Sequence, residues 1–248
     1  MDAVPVTTCN ADSSKTSPSE GRITEHFLRC MEVARQPRQP EPIQPVAVGW
    51  LAQRTECLWH RCGLMDLHRD GVGQIDPARA PWGQVYSILD RQGQTDAGYI
   101  VVFAGIRGTG KTQCAAHLIR RTVERREEAI YTTVAGMIRR IYDSYDADKA
   151  QQRTRAIERE FADARLLVLD ECHEGLKAES ARSIFTGIMD ARYARHRRNT
   201  ILICNEKRDN LGALFGDSVS SRIIEKGRVF EFTNPSFRTT PAWAKVGA

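Results

Sequence analysis

Short apolar runs alternate with longer amphipathic ones over residues 99 to 232. YIVVFAG (99–105), AIYTTV (129–134), RLLVLDE (165–171), TILICNE (200–206) and RVFEF (228–232) have the length and the β-branched and aromatic content of strands. Between them lie KTQCAAHLIRRTVERRE (111–127), AGMIRRIYDSY (135–145), AQQRTRAIEREFADA (150–164), SARSIFTGIMDARYARH (180–196) and DSVSSRIIEKG (217–227), whose apolar positions recur at helical spacing. Strands alternating with helices predict βαβ units, and hence a parallel sheet with helices on both faces. No internal repeat is evident.

The first part of the chain is patterned differently. Residues 1–20, rich in Ser, Thr, Asp and Pro, are expected to form a disordered tail. Over 21–37, Ile23, Phe27, Leu28, Met31 and Ala34 share one helical stripe. QPRQPEPIQP (36–45), with its four prolines, suits a linker. VGWLAQRTECLWHRCGLMDLH (48–68) is a second apolar-patterned piece, and GVGQIDPARAPWG (71–83) closes the region with glycines and prolines. The expected organisation is a tail over 1–20, a small, mostly helical module over 21–75, and an α/β domain over 76–248.

Composition adds a little to this picture. A hydrophobic share of 41% and a charged share of 27% are ordinary for a soluble globular protein. No apolar run approaches the roughly 20 residues needed to span a bilayer. The N-terminus lacks a basic start followed by an apolar segment, so a cytoplasmic protein with no membrane partner is expected. Seven cysteines at irregular spacing suggest no disulfide framework, and Cys114, Cys172 and Cys204 are expected to be small buried thiols. The net charge of +5 leans towards polyanionic partners, nucleic acid first.

The candidate chemistry begins at GIRGTGKT (105–112), which fits G-x-x-x-x-G-K-[ST] between a strand and a helix. Gly105, Gly108 and Gly110 allow the backbone to wrap tightly, so that its N–H groups, with that of Thr109, can face phosphate oxygens. The positive end of the following helix adds attraction. Lys111 is placed to reach the β- and γ-phosphates, and the Thr112 hydroxyl to hold Mg²⁺. An ordinary glycine-rich turn would account for the glycines alone, but not for the strand, lysine and threonine around them. In RLLVLDE the apolar run delivers Asp170 to a strand end, where ligands bind in open α/β sheets. Asp170 is the candidate second magnesium ligand. Glu171 is the candidate for orienting and deprotonating an attacking water, which points to hydrolysis. Asn205 ends the next strand and could polarise that water, although asparagine also simply starts turns. The adjacent NEKRD departs from the N-K-x-D signature that reads guanine, because Glu206 takes the lysine position. ATP is therefore the expected nucleotide. Arg222, on a helix whose apolar side carries Val219, Ile223 and Ile224, is free to project elsewhere. An arginine supplied across a subunit boundary can accelerate hydrolysis by about 10³–10⁵.

Taken together, GIRGTGKT, YTTVAGMIRRIYDSY, LLVLDE, LICNE, LGALFGDSVSSRI and EFTNPSFR resemble the DnaC/IstB-like branch of the AAA+ ATPases over about residues 98 to 238. That branch holds bacterial and phage helicase loaders and transposition helper ATPases. The resemblance implies a P-loop NTPase of AAA+ type lacking a C-terminal lid. It implies Walker A roles for Lys111 and Thr112, Walker B roles for Asp170 and Glu171, sensor 1 for Asn205 and the arginine finger for Arg222. It also implies single-stranded DNA contacts on two helices, which here carry Arg139, Arg140 and Tyr145, and Lys177 and Arg182. Cations with aromatic rings are the physical means of gripping single strands without reading sequence. The implied partners are a replicative helicase, docked through the N-terminal module, and further copies of the chain in a ring or spiral. One departure is Arg107, where related loops often have proline.

CLWHRC (57–62) offers Cys57, His60 and Cys62 as zinc ligands, with His26, Cys30 or His68 as a fourth. The spacing is unlike a C-x₂-C pair, and Leu58 and Trp59 also suit a plain helix face. The leading expectation is an ATP-dependent helicase loader. The alternatives are a transposition helper acting with duplex DNA and a transposase, a P-loop kinase of a small molecule, and a nucleotide-gated scaffold.

Overall fold

In the computed structural model, the described residues are 45–72, 82–93, 98–145 and 150–237. They carry five strands: β1 (Tyr99–Ala104), β2 (Ala129–Thr133), β3 (Leu166–Asp170), β4 (Asn199–Ile203) and β5 (Gly227–Glu231). The helices are α1 (Pro45–Arg61), α2 (Asp66–Asp70), α3 (Trp82–Gly93), α4 (Lys111–Glu124), α5 (Val134–Tyr142), α6 (Ala150–Asp163), α7 (Cys172–Gly175), α8 (Glu179–Tyr193) and α9 (Leu211–Lys226). The strands form one sheet in the order β2-β3-β4-β1-β5. Every pairing is parallel, with Ile100 opposite Thr200, Thr133 opposite Asp170 and Leu166 opposite Asn199 among the registered pairs.

The central strands are buried along their whole length, which is why their sequences are continuous apolar runs. Successive side chains alternate between two cores. Ile100, Val102, Leu167, Leu169 and Leu202 enter one, with Met137, Phe161, Phe185 and Val219 from α5, α6, α8 and α9. Val101, Phe103, Val168, Ile201 and Ile203 enter the other, with Cys114, Ala115, Leu118 and Ile119 from α4. Arg192 is buried beside the first layer, among carbonyl acceptors. Its guanidinium donates to the carbonyls of Phe161, Ala164 and Asn199 and to the Thr200 hydroxyl at 2.6–2.9 Å. Burial draws its pKa down to about 9, so it remains charged at neutral pH.

The five expected strands and the helices between them are all present. The sheet-bearing compact unit begins at Gly49, so residues 49–72 belong to it, well before the expected boundary at 75. Trp59, Cys62 and Leu64 are buried in the same core as Phe103 and Ile119. The Tyr131 N–H donates to the Cys62 carbonyl at 2.7 Å, on the open side of the edge strand β2. Pro45 opens α1 rather than closing a linker, a first-turn position that suits a residue without an N–H. The expected tail over 1–20, the helical stripe over 21–37 and the rest of the linker lie outside the described residues.

Candidate active site

The phosphate-binding loop runs from the buried end of β1 into α4. Gly105, Gly108 and Gly110 all have positive φ, at 134°, 84° and 88°. At Gly105 a Cβ would lie 2.4 Å from the Phe232 carbonyl oxygen, so only glycine fits between β1 and the chain after β5. Gly110 caps α4 without a side-chain acceptor, which leaves the first N–H groups of the helix for an anion. The Thr109 hydroxyl donates to the Ile106 carbonyl at 2.9 Å and steadies the loop. Lys111 folds over it, its Nζ donating to the carbonyls of Gly105 and Ile106 at 2.7 Å each.

Asp170 ends β3 beside this loop. Its Oδ2 accepts from Thr112 Oγ1 and from the Tyr131 hydroxyl, both at 2.9 Å, while Oδ1 accepts the Glu171 N–H at 2.7 Å. Burial, with the Asp170 carboxylate beside it, pushes the Tyr131 pKa up, so the phenol stays a donor. Glu171 is exposed and has φ 53°, the left-handed region that costs a non-glycine residue of order 1–3 kcal/mol. That turn leads from β3 into α7, and Glu171 lines the cleft. Asn205 follows β4. Its N–H and its side-chain amide both lie 3.4 Å from the ring nitrogens of His173, whose Nε2 is 3.6 Å from Glu174. Glu174 also pairs with Arg107 of the loop at 3.4 Å.

One cleft of about 520 Å³ is lined by Lys111, Thr112, Asp170, Glu171 and Asn205 together. Met65, His68, Tyr131, Thr133 and Phe237 line it as well. Gly108, Gly110, Lys111, Thr112, Asp170, Glu171 and Asn205, all expected around a triphosphate, thus share one cavity, at the carboxyl ends of β1, β3 and β4. Sequence reasoning missed Tyr131 and His173. Tyr131 lies two positions before a strand end that neighbours Asp170, and His173 two positions after Glu171, so proximity to the acidic pair was the available signal.

The chain matches, over residues 92–241, the model of a family described as IstB-like ATP binding protein. It belongs to that family. Among curated proteins, this IstB-like protein is 27% identical over 227 residues to the uncharacterized protein YdaV of Escherichia coli (strain K12), covering 88% of this chain and 83% of that one. The crystal structure of the DnaC helicase loader is similar with a TM-score of 0.56 and 17% identity, over 67% of this chain and 99% of that one. AMPPCP-bound DnaA from Aquifex aeolicus is similar with a TM-score of 0.49 and 17% identity. That match covers 60% of the IstB-like chain and spans less than half, 44%, of the DnaA chain.

Arg222 stands apart from the cleft of its own chain. It pairs with Asp190 of α8 at 2.9 Å, and its guanidinium lies 5.3 Å from the Tyr193 ring centre. Arg139, Arg140, Tyr145, Lys177 and Arg182 are all exposed, on or beside α5 and the α7–α8 connection, which pack together. Arg140 pairs with Glu160 at 2.8 Å, Lys177 with Glu174 at 3.5 Å, and Arg182 donates to the Leu176 carbonyl at 2.7 Å. The Tyr145 ring packs against Tyr142 with centroids 5.7 Å apart.

Cys57, His60 and Cys62, the zinc alternative offered by CLWHRC, are not brought together. Cys57 is exposed, whereas Cys62 is buried and its thiol donates to the Trp59 carbonyl at 3.1 Å. His60 Nδ1 meets Arg69 at 2.7 Å, and His68 Nδ1 is 3.4 Å from Gln113. Among the described residues no cluster of three or more His, Cys, Asp or Glu could hold a metal ion. His26 and Cys30 lie outside them. Cys114, Cys172 and Cys204 are buried, and burial raises the pKa of each thiol. No helix among the described residues is long and apolar enough to cross a membrane.

Proposed function

We propose that this protein hydrolyses ATP and uses the cycle to load a replicative helicase onto single-stranded DNA. The hydrolytic part rests on one observation: Lys111, Thr112, Asp170, Glu171 and Asn205 line a single cleft at the strand ends. The donors suit magnesium-bound ATP. Three positive-φ glycines and an uncapped helix start offer N–H groups to phosphates. The oxygens of Thr112 and Asp170, 2.9 Å apart, are the hard ligands that Mg²⁺ takes. When bound, Mg²⁺–ATP supplies the phosphorus under attack and a leaving group whose charge the metal spreads.

The chain's own residues do the rest. Lys111 exchanges the carbonyls of Gly105 and Ile106 for phosphate oxygens and neutralises their charge. Thr112 and Asp170 would hold the metal, and Tyr131, which donates to the Asp170 carboxylate, would fix that carboxylate's orientation. Glu171 accepts a proton from the attacking water, and the Asn205 amide, supported by His173, orients that water. Arg222, placed away from its own cleft, completes the cleft of a neighbouring copy in a ring or spiral.

The helicase assignment is supported by likeness to the DnaC loader over nearly all of that chain. The chain before Gly49 is the proposed helicase-docking element. Arg139, Arg140, Tyr145, Lys177 and Arg182 form the proposed DNA-facing surface, with Tyr142 beside Tyr145. A second reading, a transposition helper acting on duplex DNA, is favoured by the IstB-like description of the family. The deciding experiment measures phosphate release from Mg²⁺–ATP with single-stranded or duplex DNA added, alongside capture of a hexameric helicase by the full chain. Stronger stimulation by single strands, with helicase capture, is expected. A clear duplex preference without capture would overturn the loader reading in favour of the helper.

A further inference from the structure

Beyond the phosphate-binding groups, the cleft is lined by Met65 and Phe237, two large apolar side chains that stay in contact with water. Met65 is 56% exposed and Phe237 40%. Neither belongs to the motifs that hold phosphate, magnesium or water. Each is nonetheless carried on a segment hydrogen-bonded to the loop that does or to the helix that follows it.

Phe237 arrives on the chain segment that follows β5. The Phe232 N–H donates to the Ala104 carbonyl, and the Phe237 N–H to the Gly108 carbonyl, both at 2.8 Å. Between them the Asn234 side-chain amide donates to the Thr109 carbonyl at 3.3 Å. This segment therefore follows the phosphate-binding loop from its first residue to its middle and fixes where the Phe237 ring starts. Met65 comes from another element. It precedes α2, which is tied to α4 in both directions: His68 Nδ1 lies 3.4 Å from Gln113 Oε1, and Gln113 Nε2 donates to the His68 carbonyl at 3.1 Å. Arg69 secures the same turn by donating to the Leu64 carbonyl at 2.7 Å.

An aromatic ring and a thioether, held at the loop's flanks and left wet, suit a flat heteroaromatic group. We infer that Phe237 and Met65 form the seat of the nucleotide's base, with His68 closing it beside Gln113. The inference rests on the ATP-binding reading above and adds to it the residues that tell a nucleoside triphosphate from bare triphosphate. Stacking is indifferent to the pattern of hydrogen-bonding groups on the base edge and rewards ring area.

The test uses calorimetric titration of the full chain with two probes, Mg²⁺–ATP and inorganic tripolyphosphate. Wild-type protein is expected to bind ATP at least about ten-fold more tightly than tripolyphosphate, the scale of one stacked base. Phe237→Ala keeps every main-chain bond of its segment. It should weaken ATP binding by about ten-fold and leave tripolyphosphate within two-fold, whereas Phe237→Trp should retain ATP affinity. Equal weakening of both probes in Phe237→Ala would mean that the ring only props the loop, and would overturn the assignment. Unchanged ATP affinity in that variant would overturn it too. Wild-type protein that binds neither probe would overturn the ATPase reading itself, and so is distinguishable from failure of the base seat alone.

Discussion

Arg222 is paired with Asp190 at 2.9 Å, between α9 and α8, and makes no part of the cleft its own chain provides. A catalytic arginine acting across a boundary has to sit in such a place. Both partners are partly exposed, so the pair itself contributes little stability, about 0–1 kcal/mol. Arg222→Ala should therefore unfold within about 1 kcal/mol of wild type yet lose hydrolysis by roughly 10³-fold. Lys111→Ala has an empty phosphate loop but an intact Arg222. Mixing the two inactive variants should restore part of the phosphate release. Mixtures no more active than their components would remove Arg222 from its role.

Glu171 supplies the second prediction. Its carboxylate reaches the cleft from a left-handed backbone turn that Gln tolerates as Glu does. Glu171→Gln should bind Mg²⁺–ATP with near wild-type affinity and hydrolyse it about 10²–10⁴-fold more slowly. Single-turnover phosphate release beside equilibrium nucleotide binding separates the two effects.

Arg192 makes a prediction about stability alone. Its replacement by Met removes the buried donor to the carbonyls of Phe161, Ala164 and Asn199 and to the Thr200 hydroxyl. Each unpaired group costs about 1–3 kcal/mol, so a loss of about 3 kcal/mol or more is expected in urea unfolding. Nucleotide affinity of the protein that remains folded should be unchanged, because none of these groups touches the cleft.

His117 of α4 packs edge-on against Tyr86, with ring centroids 5.7 Å apart, and burial lowers its pKa below 6.5. The unfolded chain then takes up this proton at a higher pH than the folded one. The stability this histidine contributes is present above pH 6.5 and is lost as pH falls through the lowered value. Thermal unfolding between pH 7.5 and 5.5 should show a shallower loss in His117→Asn than in wild type.

The strands and the phosphate site were legible because both obey local rules. A buried parallel strand must be apolar on both faces, as YIVVFA is, and a loop that folds around phosphates must place glycine where φ is positive. The acidic pair at 170–171 was legible for the same reason, since the end of a central strand fixes where its last side chain lies. Tyr131 and His173 were not. Nothing in AIYTT says that a phenol will span from β2 to Asp170, because that contact depends on which strands become neighbours. The CLWHRC segment offered a zinc alternative that only the structure decides, for a related reason. Its cysteines and histidine have donor chemistry, but Cys57 on α1 faces solvent while Cys62, just past the end of α1, enters the core, and spacing along a chain does not fix that divergence.

The segment from Trp59 to Leu64 also bears on how the chain can be divided. It fills a core pocket beside Phe103 and lays the Cys62 carbonyl against the Tyr131 N–H on the sheet's border. An N-terminal deletion ending at residue 75 would strip an indole and a leucine from that interior and bare a strand backbone ready to pair with another molecule. Such a fragment would precipitate or self-associate, and its silence in an enzymatic assay would report lost packing rather than a missing helicase-binding arm.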